Sequence, residues 1–406
     1  MDRTRAGGAE HRRLATQLAS VRFPAGVDLR DRRRGRGRRG LETSRGGHAT
    51  DAMTGRIEIG ERPRILVIAL RRLGDVLLTT PLIRSLRRAW PQARIEALVF
   101  ADTAGILAGN PDVDAVLTMP SRPSVPQSLA LGARLLRRYD LAISTQSGDR
   151  PTGFAVAAGR ATLAPVEQRL SGILKRALLT RSVPVQRGLH RVEEMLRLAD
   201  ALGIARVAEL VPPKPEPFEG APAGGYAVIH AAPMFRYKQW TKEGWRALAG
   251  KLAADGLTVV ATGGPAEDER RYLDDLWAGA PVTRFDGRLS WAQLTGLLAG
   301  AKVFIGPDTS VTHLAAATGC PTVALFGPTD PRLWAPWPAG GLESPFEAAG
   351  TIQQRGNVFL VQHAFPCTPC QLEGCERRLT SYSACLDALG VERVAEAVMR
   401  ALIARR

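Results

Sequence analysis

The sequence predicts an α/β protein built from two doubly wound, Rossmann-like domains in tandem that face a central crevice. Three observations carry that prediction. Short continuous apolar runs alternate with helical patterns from about residue 64 onward, which implies parallel strands covered on both faces by helices. The alternation stops at a stiff stretch poor in hydrogen-bond donors, Val211-Pro-Pro-Lys-Pro-Glu-Pro, and then restarts. Residues 302–319 compress a strand, a Gly306-Pro307 turn and a helix start behind Asp308-Thr309-Ser310 into one unit closed by Gly319.

Taken in order, Arg64 to Leu70 reads as a buried strand, Asp75 to Trp90 as a helix, and Arg94 to Phe100 as a second strand. Ala115 to Met119 and Asp140 to Thr145 follow as strands, with Gln127 to Arg138 helical between them and a further helix from about His190 to Leu202. After the prolines, strands are expected at Tyr226 to His230, Leu257 to Thr262, Val282 to Phe285, Lys302 to Ile305 and Thr322 to Phe326. Helical patterns at Lys242 to Ala254, Glu267 to Ala278, Ser290 to Ala299 and Thr309 to Thr318 separate them. The expected division is a basic extension over 1–60, a first domain over 61–210, a linker over 211–224, a second domain with a Cys-rich tail over 225–390, and a terminal helix over 391–406. Such sheets bind ligands at the carboxyl ends of their strands.

A chain of 406 residues with 45% apolar content can bury two ordinary cores. No apolar run of about 18 residues is present, so no segment is expected to span a membrane. The formal charge is +16, and residues 1–56 carry half of it, with 14 Arg against 6 Asp and Glu. That segment lacks hydrophobic periodicity and the apolar core of a secretory signal, and it reads as disordered. It is either an Arg-rich arm or an upstream extension of a chain that starts at Met53. Neither reading makes the folded part a nucleic-acid protein.

The chemistry lies at strand ends. Free N–H groups and the helix dipole behind Asp308, Thr309 and Ser310 suit a phosphate, and His313 on the first turns of that helix could face the same ligand. The alternative is an N-cap and a packed histidine. After the opening strand comes Arg71-Arg72-Leu73-Gly74-Asp75, in which Asp75 is either a cap or a base facing the crevice. Lys238 beside Trp240 can bring an ammonium to a phosphate. Gly263-Gly264 permit close backbone approach, with Glu267 placed to accept hydrogen bonds from a ribose.

These blocks, in this order, resemble glycosyltransferase family 9, the ADP-heptose:lipopolysaccharide heptosyltransferases. The match is carried by Ile65 through Pro81, by Tyr237-Lys-Gln-Trp240, and by Phe304 through His313 continuing to Ala324-Leu-Phe-Gly-Pro-Thr-Asp330. It covers about residues 63–340, and the Gly-Asp-Val-Leu-Leu-Thr-Thr-Pro form is most similar to the heptosyltransferase III branch. The resemblance implies a GT-B fold, an acceptor-binding first domain, a nucleotide-sugar-binding second domain, and an inverting, metal-independent transfer from ADP-heptose to the lipopolysaccharide inner core. It also implies Asp75 as general base, Lys238 as diphosphate contact, Glu267 as ribose contact, and Gly306, Asp308, Thr309, Ser310 and His313 as the donor-binding turn. Arg71 and Arg72 then fall on the acceptor side. The alternatives are the same fold using another nucleotide sugar for a surface glycan, or a catalytically silent nucleotide-sugar binder, against which the intact Asp75 and Lys238 speak.

Asp112-Val113-Asp114 looks like a paired-carboxylate metal motif, but it follows Asn110-Pro111 and precedes a strand, so it reads as a solvated turn. No Walker A sequence is present. Cys367, Cys370, Cys375 and Cys385 are candidate ligands of a structural zinc, free thiols of a reducing compartment, or disulfide partners, while Cys320 is expected to be buried. No cofactor is expected for catalysis itself. Arg169 to Arg181 alternates apolar and cationic residues at helical spacing, which suits an anionic membrane surface or acidic oligosaccharide, or else a solvated helix packing its leucines on the first domain. Residence is expected to be cytoplasmic, at most peripheral to the inner membrane.

Overall fold

The computed structural model describes residue 57 and residues 59–404; the basic N-terminal segment expected to lack a core lies outside the described residues. The first half forms β1 (Arg64–Ala69), α1 (Leu73–Leu77), α2 (Thr80–Ala89), β2 (Arg94–Phe100), β3 (Ala115–Met119), α3 (Val125–Leu135), β4 (Tyr139–Ser144), α4 (Asp149–Ala158), β5 (Gly159–Val166), α5 (Ser171–Leu178), β6 (Arg181–Pro184) and α6 (Arg191–Leu202). Its strands pair in parallel in the order β3-β2-β1-β4-β5-β6. The order reverses between β1 and β4, so the loop after β1, which carries Asp75, opens at the switch point where such sheets bind ligands.

The second half forms β7 (Tyr226–His230), α7 (Lys242–Ala254), β8 (Thr258–Thr262), α8 (Glu267–Trp277), β9 (Thr283–Arg284), α9 (Trp291–Gly300), β10 (Val303–Pro307), α10 (Ser310–Ala317), β11 (Thr322–Phe326), α11 (Pro331–Trp334), β12 (Ile352–Arg355), β13 (Val358–Gln362), α12 (Ala384–Asp387) and α13 (Val391–Ala404). The sheet order is β12-β13-β11-β10-β7-β8-β9, parallel except for β12 against β13. Here the switch point lies between β7 and β10, the two strands that lead into Lys238 and Asp308.

Local chemistry explains the helix starts. Ser124 with Gln127 and Ser290 with Gln293 form reciprocal capping boxes for α3 and α9, and Thr241 caps α7 by accepting from the Gly244 N–H. One core cluster joins the two halves: Val76 and Leu77 of α1 and Val192 and Leu196 of α6 belong with Val311, Leu314 and Ala315 of α10 and with Trp337. The proline stretch is docked along this seam. Val211 N–H donates to Thr80 Oγ1 at 3.0 Å, and Glu216 N–H donates to the Ala292 carbonyl at 3.0 Å.

Several sequence expectations are corrected. The helix expected over Asp75 to Trp90 is two helices, because the chain breaks at Leu78-Thr79 and Pro81 restarts it at the first turn. β5, β6, β12 and β13 were not expected as strands. Arg169 to Arg181 is helical only over α5 and is already strand at Arg181, and while Leu179 packs into the core, most of its other apolar side chains do not: Leu170 is 85% and Leu174 67% exposed. Asp112 is buried, not solvated, since Arg84 Nε donates to it at 2.9 Å. Asp114 pairs with Arg87 at 2.6 Å and accepts the Ile95 N–H at 2.7 Å. These carboxylates fasten α2 to the start of β2 and β3. Cys320 is buried as expected.

Asp112→Ala should therefore lower the unfolding free energy by about 1.5–3 kcal/mol, the cost of losing a charge-assisted hydrogen bond. Urea denaturation checks this, and a change within experimental error would return Asp112 to the solvated reading.

Candidate active site

The site begins where β10 turns. A Cβ on Gly306 would lie 2.8 Å from Phe304 Cζ and 3.0 Å from Thr312 Oγ1, so the chain turns this tightly only without a side chain. Thr309 is the N-cap of α10 and accepts the Thr312 N–H at 3.3 Å, which satisfies one of the orphan donors of the helix start. The remaining first-turn donors and the positive end of the helix have the character that suits an anion beside Ser310.

Asp308 lies just before this cap with 9% of its surface exposed. Lys238 Nζ is 2.5 Å from Asp308 Oδ2, and His313 Nε2 is 4.0 Å from Asp308 Oδ1. Burial pushes the Asp308 carboxyl up, but Lys238, His313 and a hydrogen bond from Thr329 outweigh it and hold the group below the usual carboxylate range. Burial dominates at His313 and lowers its imidazole, with Lys238 adding to that effect while Asp308 and Asp75 oppose it. Its Nδ1 is buried without a hydrogen-bond partner.

Lys238 is mounted on a clamped loop. Phe235 and Tyr237 stack at 5.4 Å and 9°, the Trp240 indole N–H donates to the Leu389 carbonyl at 2.7 Å, and Ser383 Oγ donates to the Tyr237 carbonyl at 2.6 Å. Trp240, two residues after Lys238, is a buried anchor.

On the other wall, α1 starts at Leu73 with Arg72 as N-cap, and Arg72 makes no side-chain cap bond. Asp75 therefore does not cap its helix. Its carboxylate, 11% exposed, lies 3.4 Å from Arg71 Nη1 and 3.3 Å from Arg191 Nε. Arg72 reaches across to the other half, its guanidinium 4.9 Å from the centroid of Phe235. The two walls touch: a Cβ on Gly74 would be 3.6 Å from Ser310 Cα and 3.9 Å from His313 Cδ2. Asp75, Asp308, Thr309, Ser310, His313 and Lys238 thus converge on one place, with Arg71 and Arg72 at its edge.

Glu267 stands apart from this group. It is exposed on the first turn of α8 and pairs with Arg271 at 2.6 Å. Glu269 closes on the glycine turn instead, accepting the Gly264 N–H at 2.5 Å, and burial raises its carboxyl above the usual range. Sequence reasoning also missed Arg191, Thr329 and Phe235. Arg191 looked like one more charge at a helix start, and nothing in its local pattern shows that the β4-to-α6 path brings it to Asp75.

The four tail cysteines are not brought together as a metal site. All are free thiols, and among the described residues no group of three or more His, Cys, Asp or Glu side chains is arranged to hold a metal ion. Cys385 is buried, with its Sγ 3.2 Å from a Cβ position on Gly327, and burial pushes its thiol up to about 11, whereas Cys367 and Cys375 are exposed. Cys375 Sγ accepts the Ala384 N–H at 3.4 Å. The segment packs under the turn after β11, where Gln371 N–H donates to the Pro328 carbonyl at 2.7 Å.

The sequence model of glycosyltransferase family 9 (heptosyltransferase) matches residues 129–341. Lipopolysaccharide heptosyltransferase 3 of Escherichia coli K12 is 30% identical over 295 residues, covering 66% of this chain and 83% of that protein. Lipopolysaccharide heptosyltransferase 1 of Pseudomonas aeruginosa is 29% identical over 327 residues, covering 77% and 87%. Two solved structures share the fold. A family 9 glycosyl transferase from Veillonella parvula superposes with a TM-score of 0.67 at 18% identity, over 84% of this chain and 97% of its own. The Escherichia coli heptosyltransferase WaaC with ADP gives 0.63 at 23% identity, over 83% and 99%.

Buried imidazoles around the site set an acid limit. His190 caps α6 and meets the Ala335 carbonyl at 2.9 Å, and burial lowers its pKa to about 4; His230 is lowered likewise to about 4. Since the unfolded chain takes up these protons near pH 6.5, below that value the unfolded state binds more protons than the folded one. Stability should be fully present above about pH 6.5 and decline as the pH falls toward 4. Urea midpoints at pH 7 and pH 5 check this, with a smaller decline expected in His190→Gln.

Proposed function

The chain belongs to glycosyltransferase family 9, the heptosyltransferases, and from that premise we propose that it moves heptose from ADP-heptose to a hydroxyl of the lipopolysaccharide inner core with inversion. In this reading Asp75 accepts the proton of the acceptor hydroxyl as that oxygen bonds to the anomeric carbon. The bond from that carbon to the diphosphate oxygen breaks, and its electron pair leaves with ADP. The charge that develops on the diphosphate falls to the N-terminus of α10 and to Lys238, which keeps two ammonium protons beyond the one facing Asp308. These protein groups serve in place of a metal ion.

The observation that supports the reading most is the contact of Gly74 with Ser310 and His313, which sets a carboxylate that caps nothing beside a phosphate-competent turn. The family relationship supports the sugar, since relatives named lipopolysaccharide heptosyltransferase 3 and 1 match most of their lengths. The structure of the Escherichia coli heptosyltransferase WaaC with ADP-2-deoxy-2-fluoro heptose supports the donor by analogy. ADP release that depends on acceptor, measured over a panel of nucleotide sugars, separates this enzyme from one using another donor and from a silent binder.

Asp75→Asn keeps the volume of the side chain but not its basicity. Turnover should fall by about 10² to 10⁴ with ADP affinity retained, because the phosphate contacts lie on the other wall. Near wild-type turnover would exclude Asp75 as the base.

We also propose peripheral contact with an anionic membrane through α5. No described helix is long and apolar enough to cross a membrane, yet Leu170, Ile173, Leu174 and Leu178 are exposed beside Arg169, Lys175 and Arg176. An apolar stripe flanked by cations suits a membrane rich in acidic lipid. The Ile173→Glu/Leu174→Glu variant should lose cosedimentation with phosphatidylglycerol vesicles while keeping turnover on soluble acceptor; unchanged cosedimentation would remove the surface.

A further inference from the structure

A cleft of about 480 Å³ opens between the loop that leads into α6 and the short helix α11, and the donor turn does not account for it. Its walls carry three guanidinium groups, Arg187, Arg191 and Arg332, against two carboxylates, Glu194 and Asp330. Trp334 adds a half-buried indole. The carboxylates are committed. Asp330 accepts the Arg332 backbone N–H at 3.0 Å as the cap of α11 and pairs with Arg332 Nη2 at 2.7 Å, while Glu194 pairs with Arg191 at 2.8 Å. Arg332 and Arg191 are thus paired, and Arg187 is the cation left exposed at the opening.

Arg191 ties this cleft to the reaction. Its side chain is 9% exposed and is held at three points: Nη1 on Glu194, Nη2 donating to the Thr145 carbonyl at 3.1 Å, and Nε 3.3 Å from Asp75. A molecule in the cleft is therefore one guanidinium away from the carboxylate assigned to take the acceptor's proton. The excess cation calls for an anion, and the indole offers the apolar face of a sugar ring a surface to lie on.

We propose that this cleft is a subsite for an anionic sugar unit of the acceptor, with its carboxylate or phosphate ester held by Arg187 and Arg332 and its ring against Trp334. The proposal rests on the glycosyl-transfer reading for the word acceptor, but the subsite can be measured without turnover.

The test uses the whole chain with saturating ADP, so that the donor turn is occupied, and titrates mannose 6-phosphate, glucuronate, mannose and inorganic phosphate by calorimetry. Mannose 6-phosphate or glucuronate should bind at least about tenfold more tightly than mannose, the return on one charge-assisted contact, and which of the two binds identifies the anion as phosphate ester or carboxylate. Arg187→Gln, an exposed position that does not endanger folding, should remove most of that preference; Arg332→Gln should do the same but leaves Asp330 buried without its partner, so it is read together with its melting curve. Trp334→Leu should weaken the sugar anion and leave inorganic phosphate unchanged. Equal affinity for mannose and the anionic sugars, inorganic phosphate binding as tightly as the sugar anion, or an unchanged preference in Arg187→Gln would each overturn the subsite. Acceptor-dependent ADP release is followed in parallel: binding without turnover leaves the subsite standing and sinks the transfer reading, and turnover without binding does the reverse.

Discussion

Asp308 is a carboxylate buried at the carboxyl end of β10, and a buried charge persists only if its surroundings supply opposite charge and hydrogen bonds. Two turns and a helix meet that demand. The turn after β7 brings Lys238, the turn after β11 brings Thr329, and α10 itself brings His313. None of these elements is held only by its own helix or strand; each is fixed partly by the need to neutralise one group. The stacked Phe235 and Tyr237, the anchored Trp240 and the tail residue Ser383 then hold the Lys238 loop at the right distance. Removing Lys238 would both empty the cationic position and strand the carboxylate, so effects on ligand and on folding are coupled there by construction.

The same economy operates across the crevice. Because the strand order reverses between β1 and β4 in one sheet and between β7 and β10 in the other, the chain after β1 and the chain after β10 come together, and Gly74 meets Ser310. The core runs continuously beneath that contact, from Leu77 through Val192 to Leu314, which fixes the spacing between the walls. Arg191 extends the polar part of the contact from Asp75 into the cleft under α11, so that Asp75 and the cleft form one connected surface.

Much of this was legible in the sequence because it rests on local signals. Continuous apolar runs gave β1, β2, β7, β8, β10 and β11, and Gly306-Pro307 followed by Asp308-Thr309 marked a strand-to-helix turn whose cap proved to be Thr309. What escaped depends on distance in the chain. β5 and β6 lie at the edge half of their sheet, where strands are short or interrupted by Pro165, and the pattern of α5 drew attention away from them. Arg191 is 116 residues from Asp75, and no spacing rule connects them. Asp112 looked like a solvated turn because its partner Arg84 sits on a helix whose facing could not be known before α2 was separated from α1. Glu269, two residues after Glu267 and so on a different side of α8, accepts the Gly264 N–H, while Glu267 pairs with Arg271.

In the proposed reaction, donor diphosphate and acceptor base meet where Gly74 touches Ser310. A crystal structure of the chain with ADP-2-deoxy-2-fluoro heptose should then show a phosphate at the N-terminus of α10 within hydrogen-bond reach of Ser310 and Lys238, with the anomeric carbon turned toward Asp75. A diphosphate bound away from α10, or an anomeric carbon facing away from the α1 wall, would overturn that placement.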